Sequence, residues 1–530
     1  MKGFAQKISK ILGDIVKKEY EVIIDEPLWE APQRQDFGDL SSMVSLKLAS
    51  KLKKDPLEIA SNLKNHLESE IKDDVEKIEI LKPGFINIFI SKDVLLNSLN
   101  GILEDKDKFF RHNLKRKVIL EFLSANPTGP LSIAHGRQAV VGDVIGNILA
   151  FLGDNVEREY YVNDAGRQID LFVESVGERV KEIKGEKFSI PEGGYLGEYV
   201  KDVARACIAE KPKDMREFIL SYELSLIKKD LEVLGIRFDN WASQQKLIDD
   251  KKIEKVIDIL KAKDLIFEQE DAIWFSATRF GDDKDRVIKK SDGELTYFAS
   301  DIAYHEDKIS RKADLLINLW GPDHHGYIER VKSAINALGY DKDILKVVII
   351  QLVALKTKEK MSKRKGTAVL LSDLISEVGK DATRFYYLVR KNSSHLEFDV
   401  DLAEDKSFNN PLYYVQYASS RIESIFQKAG AKTFDPKYTQ DLEGKDDLAL
   451  IRMLLQFSYA LEKAYYGLEP VFIIEYLKTL AAAFHKFYET NRVVGESEKI
   501  EKARLNLLEA TRIVFHCALN LLGIAPAKKM

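Results

Sequence analysis

The distribution of apolar residues predicts an α/β domain in the middle of the chain. Residues 118–123 form an apolar run interrupted only by Glu121, which is typical of a buried parallel strand. A turn rich in Asn, Pro and Gly follows, and residues 140–152 then carry apolar side chains at helical spacing up to Gly153. The order strand, polar loop, helix is that of an open α/β sheet, which binds its ligand at such a loop.

The two ends of the chain follow different patterns. Residues 1–105 combine helical spacing with two short strands predicted around a turn at Pro83 and Gly84, which indicates a small α+β domain. The charged segment 103–117 predicts a linker. In residues 405–530 the apolar positions recur at three and four residues throughout, so this part predicts an all-α bundle. Its predicted helices are 405–429, 447–465, 470–490 and 499–522.

Composition narrows the class of protein. The 530 residues are 45% hydrophobic and 31% charged, a globular balance. Only Cys207 and Cys517 occur, so a disulfide framework and a four-cysteine zinc site are excluded. No apolar stretch is long enough to span a membrane, and Asp14 and Glu19 argue against a transit peptide, so we predict a cytoplasmic protein. A net charge of −4 neither supports nor excludes an RNA partner.

The loop after the first strand has chemistry suited to a phosphate ester. Gly129 and Gly136 would allow a ligand to approach the backbone, and a helix N-terminus presents free N–H groups to an anion. His135 stands at that helix entrance, where an imidazole can donate to a phosphate or ribose oxygen. Taken alone, this segment is better explained as an ordinary strand–helix turn with a surface histidine.

A second segment carries positive charge for the same kind of ligand. Residues 347–355 form another apolar run, predicted as one strand, and four cations follow within residues 360–365, just before Gly366. Such a loop would clamp a triphosphate. A lone basic loop is usually solvated surface, so the functional interpretation depends on the two segments together.

Together the two segments resemble the paired signatures of class I aminoacyl-tRNA synthetases, and their details resemble the arginyl-tRNA synthetase family. The signatures are SANPTGPLSIAHGR (124–137) and KMSKRKGT (360–367). Other stretches similar to this family follow in order: YYVNDAGRQI (160–169), FGDDKDRV (280–287), LTYFASDIAYH (295–305), WGPDHHGY (320–327), SHLEFDVDLA (394–403) and NPLYYVQYASSRI (410–422). The resemblance runs from about residue 35 to residue 530.

The resemblance implies three domains. A Rossmann-type α/β nucleotide-binding catalytic domain would span residues 112–404, with a helical insertion at about 170–260. An N-terminal α+β domain, residues 1–111, would contact tRNA, and a C-terminal all-α helical bundle, residues 405–530, would bind the anticodon. The insertion is short, and arginine offers much to recognise, so we expect no editing site.

The implied activity is that of an arginine–tRNA ligase. It would use ATP, bound with Mg²⁺, to convert arginine into arginyl-adenylate, and transfer the arginyl group to the terminal adenosine 2′-hydroxyl of tRNA(Arg). We expect activation of arginine to depend on bound tRNA. We also expect a monomer without structural zinc.

The matched motifs imply four groups of site residues. The catalytic group is Ser132, His135, Lys360 and Lys363. The arginine-binding group is Ser124, Asn126, Tyr297, Asp301 and Gln351. The ATP-binding group is Pro130, His135, Gly136, Asp323, His324, Lys360, Met361, Ser362 and Lys363. The tRNA-binding group is Phe85, Asn87, Tyr413, Tyr417 and Arg421.

Some of these residues have a simpler structural explanation. Asp301 could be a helix N-cap, and Phe85 a core aromatic residue of a strand. Asp323 beside two histidines also resembles a metal site, but no further ligand follows at a suitable spacing, which favours nucleotide contact.

One departure from the family pattern affects the first signature. Where the family usually has His first and Gly third, this chain has Ser132 and Ala134. Serine carries no charge and reaches less far, so catalysis would depend more on His135 and the lysines. The alternative functions are another class I synthetase, a nucleotidylyltransferase and a non-catalytic RNA-binding relative.

Overall fold

The computed structural model describes residues 4–24, 28–30, 32, 37–356, 369–430 and 434–530. The chain divides into two compact units, one formed by Met1–His112 with Leu402–Met530 and the other by Asn113–Asp401. None of the described helices combines the length and the apolar character that a membrane crossing needs.

The second unit is built on a parallel sheet. Within the described residues it has five strands, which are β4 (Lys117–Glu121), β5 (Asn155–Val162), β6 (Asn240–Ser243), β10 (Leu315–Trp320) and β11 (Leu345–Ile349). Their order across the sheet is β11-β10-β4-β5-β6. Neighbours pair in parallel, so Leu120 lies opposite Ile317 on one side and Arg158 on the other. The carboxyl ends of these strands therefore meet at one edge, where open α/β sheets bind ligands.

Helices connect and cover these strands. They are α5 (Ile133–Phe151), α6 (Arg167–Ile183), α7 (Glu198–Glu210), α8 (Met215–Leu234), α9 (Gln244–Asp249), α10 (Lys252–Ala262), α11 (Tyr297–Ser310), α12 (Ile328–Leu338), α13 (Leu371–Val378), α14 (Lys380–Tyr387) and α15 (Val400–Glu404). Helix α5 packs against β4, β5 and β10. Gly142 allows the α5 backbone to approach the ring of Phe122. A Cβ at this position would lie only 2.2 Å from that ring.

Two smaller sheets complete this unit. Strands β7 (Ile266–Gln269), β8 (Ala272–Phe275) and β9 (Arg286–Lys289) are antiparallel, while β12 (Val353–Lys356) pairs in parallel with β13 (Leu396–Asp399). The apolar run 347–355, predicted as one strand, is thus two strands in different sheets. The predicted helical insertion also contains β6, which joins the main sheet.

The first unit joins the two ends of the chain. Its antiparallel sheet has the order β1-β3-β2, from β1 (Leu40–Ser42), β2 (Val75–Leu81) and β3 (Phe85–Ile90). Its helices are α1 (Phe4–Tyr20), α2 (Val44–Leu52), α3 (Pro56–Ile71), α4 (Lys92–Asp105), α16 (Pro411–Ala429), α17 (Lys445–Gly467), α18 (Val471–Thr490) and α19 (Glu498–Leu521). Helix α16 starts at Pro411 rather than residue 405, because the Asn410 side chain caps it and proline is favoured in a first turn.

The N-terminal part packs against the C-terminal helices. Helix α4 contacts α17 and α19, and Arg452 lies 2.7 Å from the Asp39 carboxylate. The predicted linker 103–117 is wrong over its first half, because Phe109 and Phe110 are buried and Phe110 makes an edge contact of 5.0 Å with Phe457. The charged residues on either side of these two rings led to the incorrect prediction of a linker in a segment that belongs to the core.

Candidate active site

The loop after β4 ends in a helix cap formed by two of the predicted catalytic residues. The Ser132 side chain accepts the N–H of His135 at 3.5 Å, and the Ser132 N–H donates to Nδ1 of His135 at 3.1 Å. This reciprocal pair is a capping box in which histidine replaces the usual glutamate. Because Nδ1 accepts, the neutral ring carries its proton on Nε2. Burial lowers the pKa of His135, which favours that neutral form.

The chain returns to this helix entrance after the lysine loop. Val369 accepts from the Ile133 N–H at 3.2 Å, and the Leu371 N–H donates to Leu131 at 2.8 Å. Ser132 and Leu370 form an antiparallel bridge. The segment that follows the second signature therefore lies directly beside the first. The predicted residues Lys360, Met361, Ser362 and Lys363 themselves lie outside the described residues.

Gly136 serves helix packing. A Cβ at this position would lie 2.5 Å from Cδ1 of Leu371 and 2.7 Å from Oη of Tyr387. Its N–H donates to the Ser132 carbonyl at 3.1 Å. The glycine thus lets α13 and α14 approach α5, and its predicted contact with ATP stays a prediction. Pro130 is partly exposed in the same loop.

Two of the predicted arginine-binding residues, Asp301 and Tyr297, lie in the first turns of α11. Asp301 accepts a hydrogen bond from the Tyr327 hydroxyl, and burial raises the pKa of Asp301 to about 7. It is the fifth residue of α11, whose N-cap is Thr296, so the N-cap explanation of Asp301 is wrong. Tyr297 opens the helix with 64% of its surface exposed. A cavity of about 530 Å³ lies beside it, with Tyr327 and Arg330 in its wall.

The loop after β4 supplies polar groups to the same region. The Ser124 hydroxyl lies 3.3 Å from the Glu121 carboxylate and accepts the Tyr161 N–H at 3.1 Å. The Asn126 amide donates to Gln168 at 2.8 Å and accepts from Asn163 at 2.7 Å. Ser124 has a φ of 45°, so the loop leaves the strand by a left-handed turn.

Glu121 is a site residue that sequence reasoning missed. It ends β4 and is paired with Lys308, which is fully buried and also donates to Asn318 at 3.1 Å. Its charge raises the pKa of Asp301 further, after burial, so the two carboxyls face one region. The only sequence signal was an acidic residue at the end of an apolar strand, and its lysine partner stands 187 positions away.

Gln351 lies between β11 and β12 rather than inside a strand. Its N–H donates to the Asn392 carbonyl at 2.9 Å, and its own carbonyl accepts from Arg137 at 2.8 Å. The backbone of this predicted pocket residue is therefore fixed from both sides.

Asp323 and His324 lie in a 3₁₀ turn, Pro322–Tyr327, that follows β10. Both side chains are largely exposed, and His324 Nε2 is 3.5 Å from the Asp323 carboxylate. Across the described residues, no three His, Cys, Asp or Glu side chains are arranged to hold a metal ion. The nucleotide assignment of these two residues stays a prediction.

The predicted RNA-binding residues belong to the first unit and form two separate sets. Phe85 is partly exposed on β3, whereas Asn87 is 2% exposed and its Oδ1 finds no partner among the described residues. The Asn87 amide is closed to a base in this structure, because the residue is almost completely buried.

The second set surrounds an exposed ring. Phe408, which is 57% exposed, contacts Tyr413 and Tyr417 at centroid distances of 6.2 and 5.0 Å. The Arg421 guanidinium lies over Tyr488 at 4.9 Å and Tyr417 at 5.8 Å. The sequence predicted the α16 residues, but not Phe408, which precedes the helix.

Family models match most of the chain in three consecutive stretches. Residues 2–90 match the Arginyl tRNA synthetase N terminal domain, residues 98–404 the class I (R) tRNA synthetase catalytic domain, and residues 415–530 the DALR anticodon binding domain. The catalytic match alone covers more than half of the chain and includes every residue of the parallel sheet. This chain belongs to the arginyl-tRNA synthetase family.

Individual relatives give the same result. An arginine–tRNA ligase of Thermotoga maritima is 40% identical over 546 residues, covering 99% of each chain. One of Carboxydothermus hydrogenoformans is 40% identical over 523 residues, covering 94% of each. The Thermus thermophilus arginyl-tRNA synthetase structure matches with a TM-score of 0.79 at 21% identity, over 99% of this chain and all of that one, and shows the shared fold.

These matches confirm the predicted family, the predicted fold class and the predicted activity of an arginine–tRNA ligase. The synthetase has a class I α/β catalytic domain, an N-terminal α+β domain and a C-terminal all-α domain. The alternatives of a synthetase for another amino acid and of a nucleotidylyltransferase are excluded by the family.

Proposed function

We propose that this arginine–tRNA ligase selects arginine in a carboxyl-lined pocket at the sheet edge. The observation that carries the proposal is the partly buried Asp301, which accepts one hydrogen bond from Tyr327 and whose neighbour Glu121 is already paired with Lys308. A guanidinium would add a directly bonded counter-charge to the more distant attraction of Lys308 and Arg330, through a planar fork that matches two carboxylate oxygens.

The remaining pocket residues would hold the rest of the amino acid. Tyr297 would cover the side chain from the exposed end of α11, and Gln351 would add an amide contact. Ser124 and Asn126, in the loop after β4, would hold the amino group and the carboxylate. This arrangement would place the arginine carboxylate towards the helix entrance at His135.

The first reaction step would be in-line displacement on ATP. A carboxylate oxygen of arginine forms a bond to the α-phosphorus, and the bond from that phosphorus to pyrophosphate breaks. His135 would donate from Nε2 to the phosphates, because its Nδ1 is occupied. Lys360 and Lys363 would neutralise the growing charge, and Mg²⁺ would arrive on the ATP. The protein positions the reactants and supplies little covalent chemistry.

Further contacts to ATP follow from the predicted residues. Pro130 and Gly136 would line the phosphate loop, and Asp323 and His324 would lie near the adenosine. Met361 and Ser362 would accompany the lysines. Ser132 would act mainly through the cap that holds the His135 ring, because its hydroxyl already accepts a helix N–H.

RNA would bind the first unit before the first step and serve as the acceptor in the second. Tyr413, Tyr417 and Arg421 would stack on anticodon bases, joined by the exposed Phe408. Phe85 would stack on a base of the tRNA elbow, with Asn87 beside it. The 2′-hydroxyl of the terminal adenosine would then attack the adenylate carbonyl and release AMP.

Activation of arginine would depend on tRNA. A state competent for catalysis that lies only a few kcal/mol uphill without RNA would make exchange without tRNA undetectable. We also propose that the enzyme is cytoplasmic and monomeric. Gel filtration tests whether it is a monomer.

The test is ATP–pyrophosphate exchange with arginine, run without RNA, with cognate tRNA and with tRNA whose terminal adenosine has been oxidised. We expect exchange with both tRNAs and none without RNA. Strong exchange without RNA would contradict the tRNA dependence alone. No exchange under any condition would contradict the proposed activity.

A further inference from the structure

Arg137 is a fully buried cation two residues after His135 on α5. Its Nη1 donates to the carbonyl of Gln351 and to that of Ser394, both at 2.8 Å, and its Nη2 donates to the carbonyl of Lys391 at 2.9 Å. A single guanidinium therefore ties the helix of the first signature to two other segments of the catalytic unit.

The three carbonyls mark the point where those segments come together. The Gln351 N–H donates to the Asn392 carbonyl, and the Leu396 N–H donates to the Leu352 carbonyl at 3.1 Å. From there the chains continue as the parallel pair β12 and β13. A buried carbonyl at the end of a ladder needs a donor from elsewhere, and leaving it without one is costly. Arg137 supplies donors to three carbonyls at this point, in hydrogen bonds that are partly buried.

We propose that Arg137 is a positioning residue for arginine recognition, because it fixes the backbone from which the Gln351 side chain projects. The inference rests on the proposed role of Gln351 in the arginine pocket. With its N–H on Asn392 and its carbonyl on Arg137, the Gln351 backbone has little freedom to rotate, so the direction in which its side chain leaves the backbone is set before substrate arrives.

Lysine cannot replace this group. The guanidinium reaches carbonyls of two segments through two nitrogens held in a rigid plane, whereas an ammonium is a single point with freely rotating donors. Arg137→Lys keeps the positive charge and most of the volume, but it would release at least one of the three carbonyls. Gln351 would then lose its fixed direction while the ATP-facing end of α5 keeps its own cap.

Arg384 offers a matched control in the same unit. It is also fully buried, and it donates to the Leu234 carbonyl at 3.0 Å and to the Asp143 carboxylate, with no hydrogen bond to Gln351 in the described chain. Arg384→Lys should cost comparable stability without acting on arginine recognition.

The experiment measures KM for arginine, KM for ATP and kcat in aminoacylation for the wild type, Arg137→Lys, Gln351→Ala, the double variant and Arg384→Lys. We expect Arg137→Lys and Gln351→Ala each to raise the arginine KM roughly tenfold, with the ATP KM within about twofold of wild type. The arginine KM of the double variant should be no higher than that of the more affected single variant, because both substitutions remove the same contact. Arg384→Lys should leave both KM values unchanged.

Each contrary result overturns a different statement. An unchanged arginine KM in Arg137→Lys, beside a raised one in Gln351→Ala, would overturn the positioning role. Independent effects that multiply in the double variant would also overturn it. An unchanged KM in Gln351→Ala would remove Gln351 from the pocket and the inference with it. A wild type that does not activate arginine would instead contradict the proposed function.

A measurement on the unmodified enzyme covers the case in which Arg137→Lys does not fold. Hydrogen exchange of the wild type, with tRNA present, should slow on adding arginine both around Gln351 and across residues 391–396, because Arg137 joins the two segments. Slowing around Gln351 with no change at 391–396 would overturn the proposal.

Discussion

Arginine binding should become weaker as pH falls below about 7, because Asp301 must be ionised to pair with a guanidinium. Burial raises the pKa of Asp301 to about 7, with Glu121 contributing further, while Tyr327, Lys308 and Arg330 oppose the rise. Bound arginine would lower that pKa again. Below pH 7 each binding event must therefore displace a proton from Asp301, and above pH 7 it need not.

The size of the effect follows from the titration of one group. With a pKa of about 7, roughly one-tenth of Asp301 is ionised at pH 6 and roughly nine-tenths at pH 8. The dissociation constant for arginine should therefore rise about tenfold between pH 8 and pH 6. Asp301→Asn keeps the shape and the acceptor for Tyr327 but removes the charge, so it should weaken binding by about 2–5 kcal/mol and abolish the pH dependence.

Titration calorimetry in two buffers of different ionisation enthalpy gives both quantities. It should count about 0.9 proton released per arginine at pH 6 and about 0.1 at pH 8. The His135 pKa is lowered from its usual value, so its titration lies on the acid side of this step. A dissociation constant that is flat from pH 6 to 8, or a pH dependence that persists in Asp301→Asn, would refute the reasoning.

Four further substitutions and one control test the other parts of the site. Lys363→Ala should lower kcat for adenylate formation roughly a hundredfold with little change in the arginine KM, and single-turnover kinetics would measure this. A raised arginine KM with an unchanged kcat would contradict the assignment of Lys363. Ser132→Ala should lower the free energy of unfolding by about 1 kcal/mol, because α5 loses its cap. His135→Ala should lower kcat more than Ser132→Ala does, and the reverse order would overturn this ranking. Gly136→Ala should destabilise the enzyme by about 1–3 kcal/mol in urea, since its Cβ would meet Tyr387. The control Gly177→Ala, with its nearest neighbour at 3.4 Å, should be neutral or stabilising.

Local sequence patterns correctly predicted the structural features that depend only on residues close together in the chain. The strand, loop and helix around His135 are found where apolar spacing placed them, because Ser132 caps a helix whose apolar face is continuous. The matching family motifs also located Asp301 and Tyr297 near one another. The same local logic could have identified the capping box, since serine and histidine stand three residues apart.

What the sequence could not provide depends on contacts between distant segments. The pair Glu121 and Lys308 and the contact of Arg137 with Gln351 join residues 187 and 214 positions apart. The break at Gln351 was hidden for a similar reason, because an apolar run does not reveal which sheet each half joins. Phe109 and Phe110 are buried, although the many charged residues around them predict a linker.

The most direct test of the central claim is ATP–pyrophosphate exchange with each of the standard amino acids in turn, in the presence of bulk tRNA. The structure, with an ionisable Asp301 beside the paired Glu121, predicts exchange with arginine and none above background with lysine or any uncharged amino acid. Exchange with another amino acid at a rate comparable to arginine, or no exchange with arginine, would contradict the account.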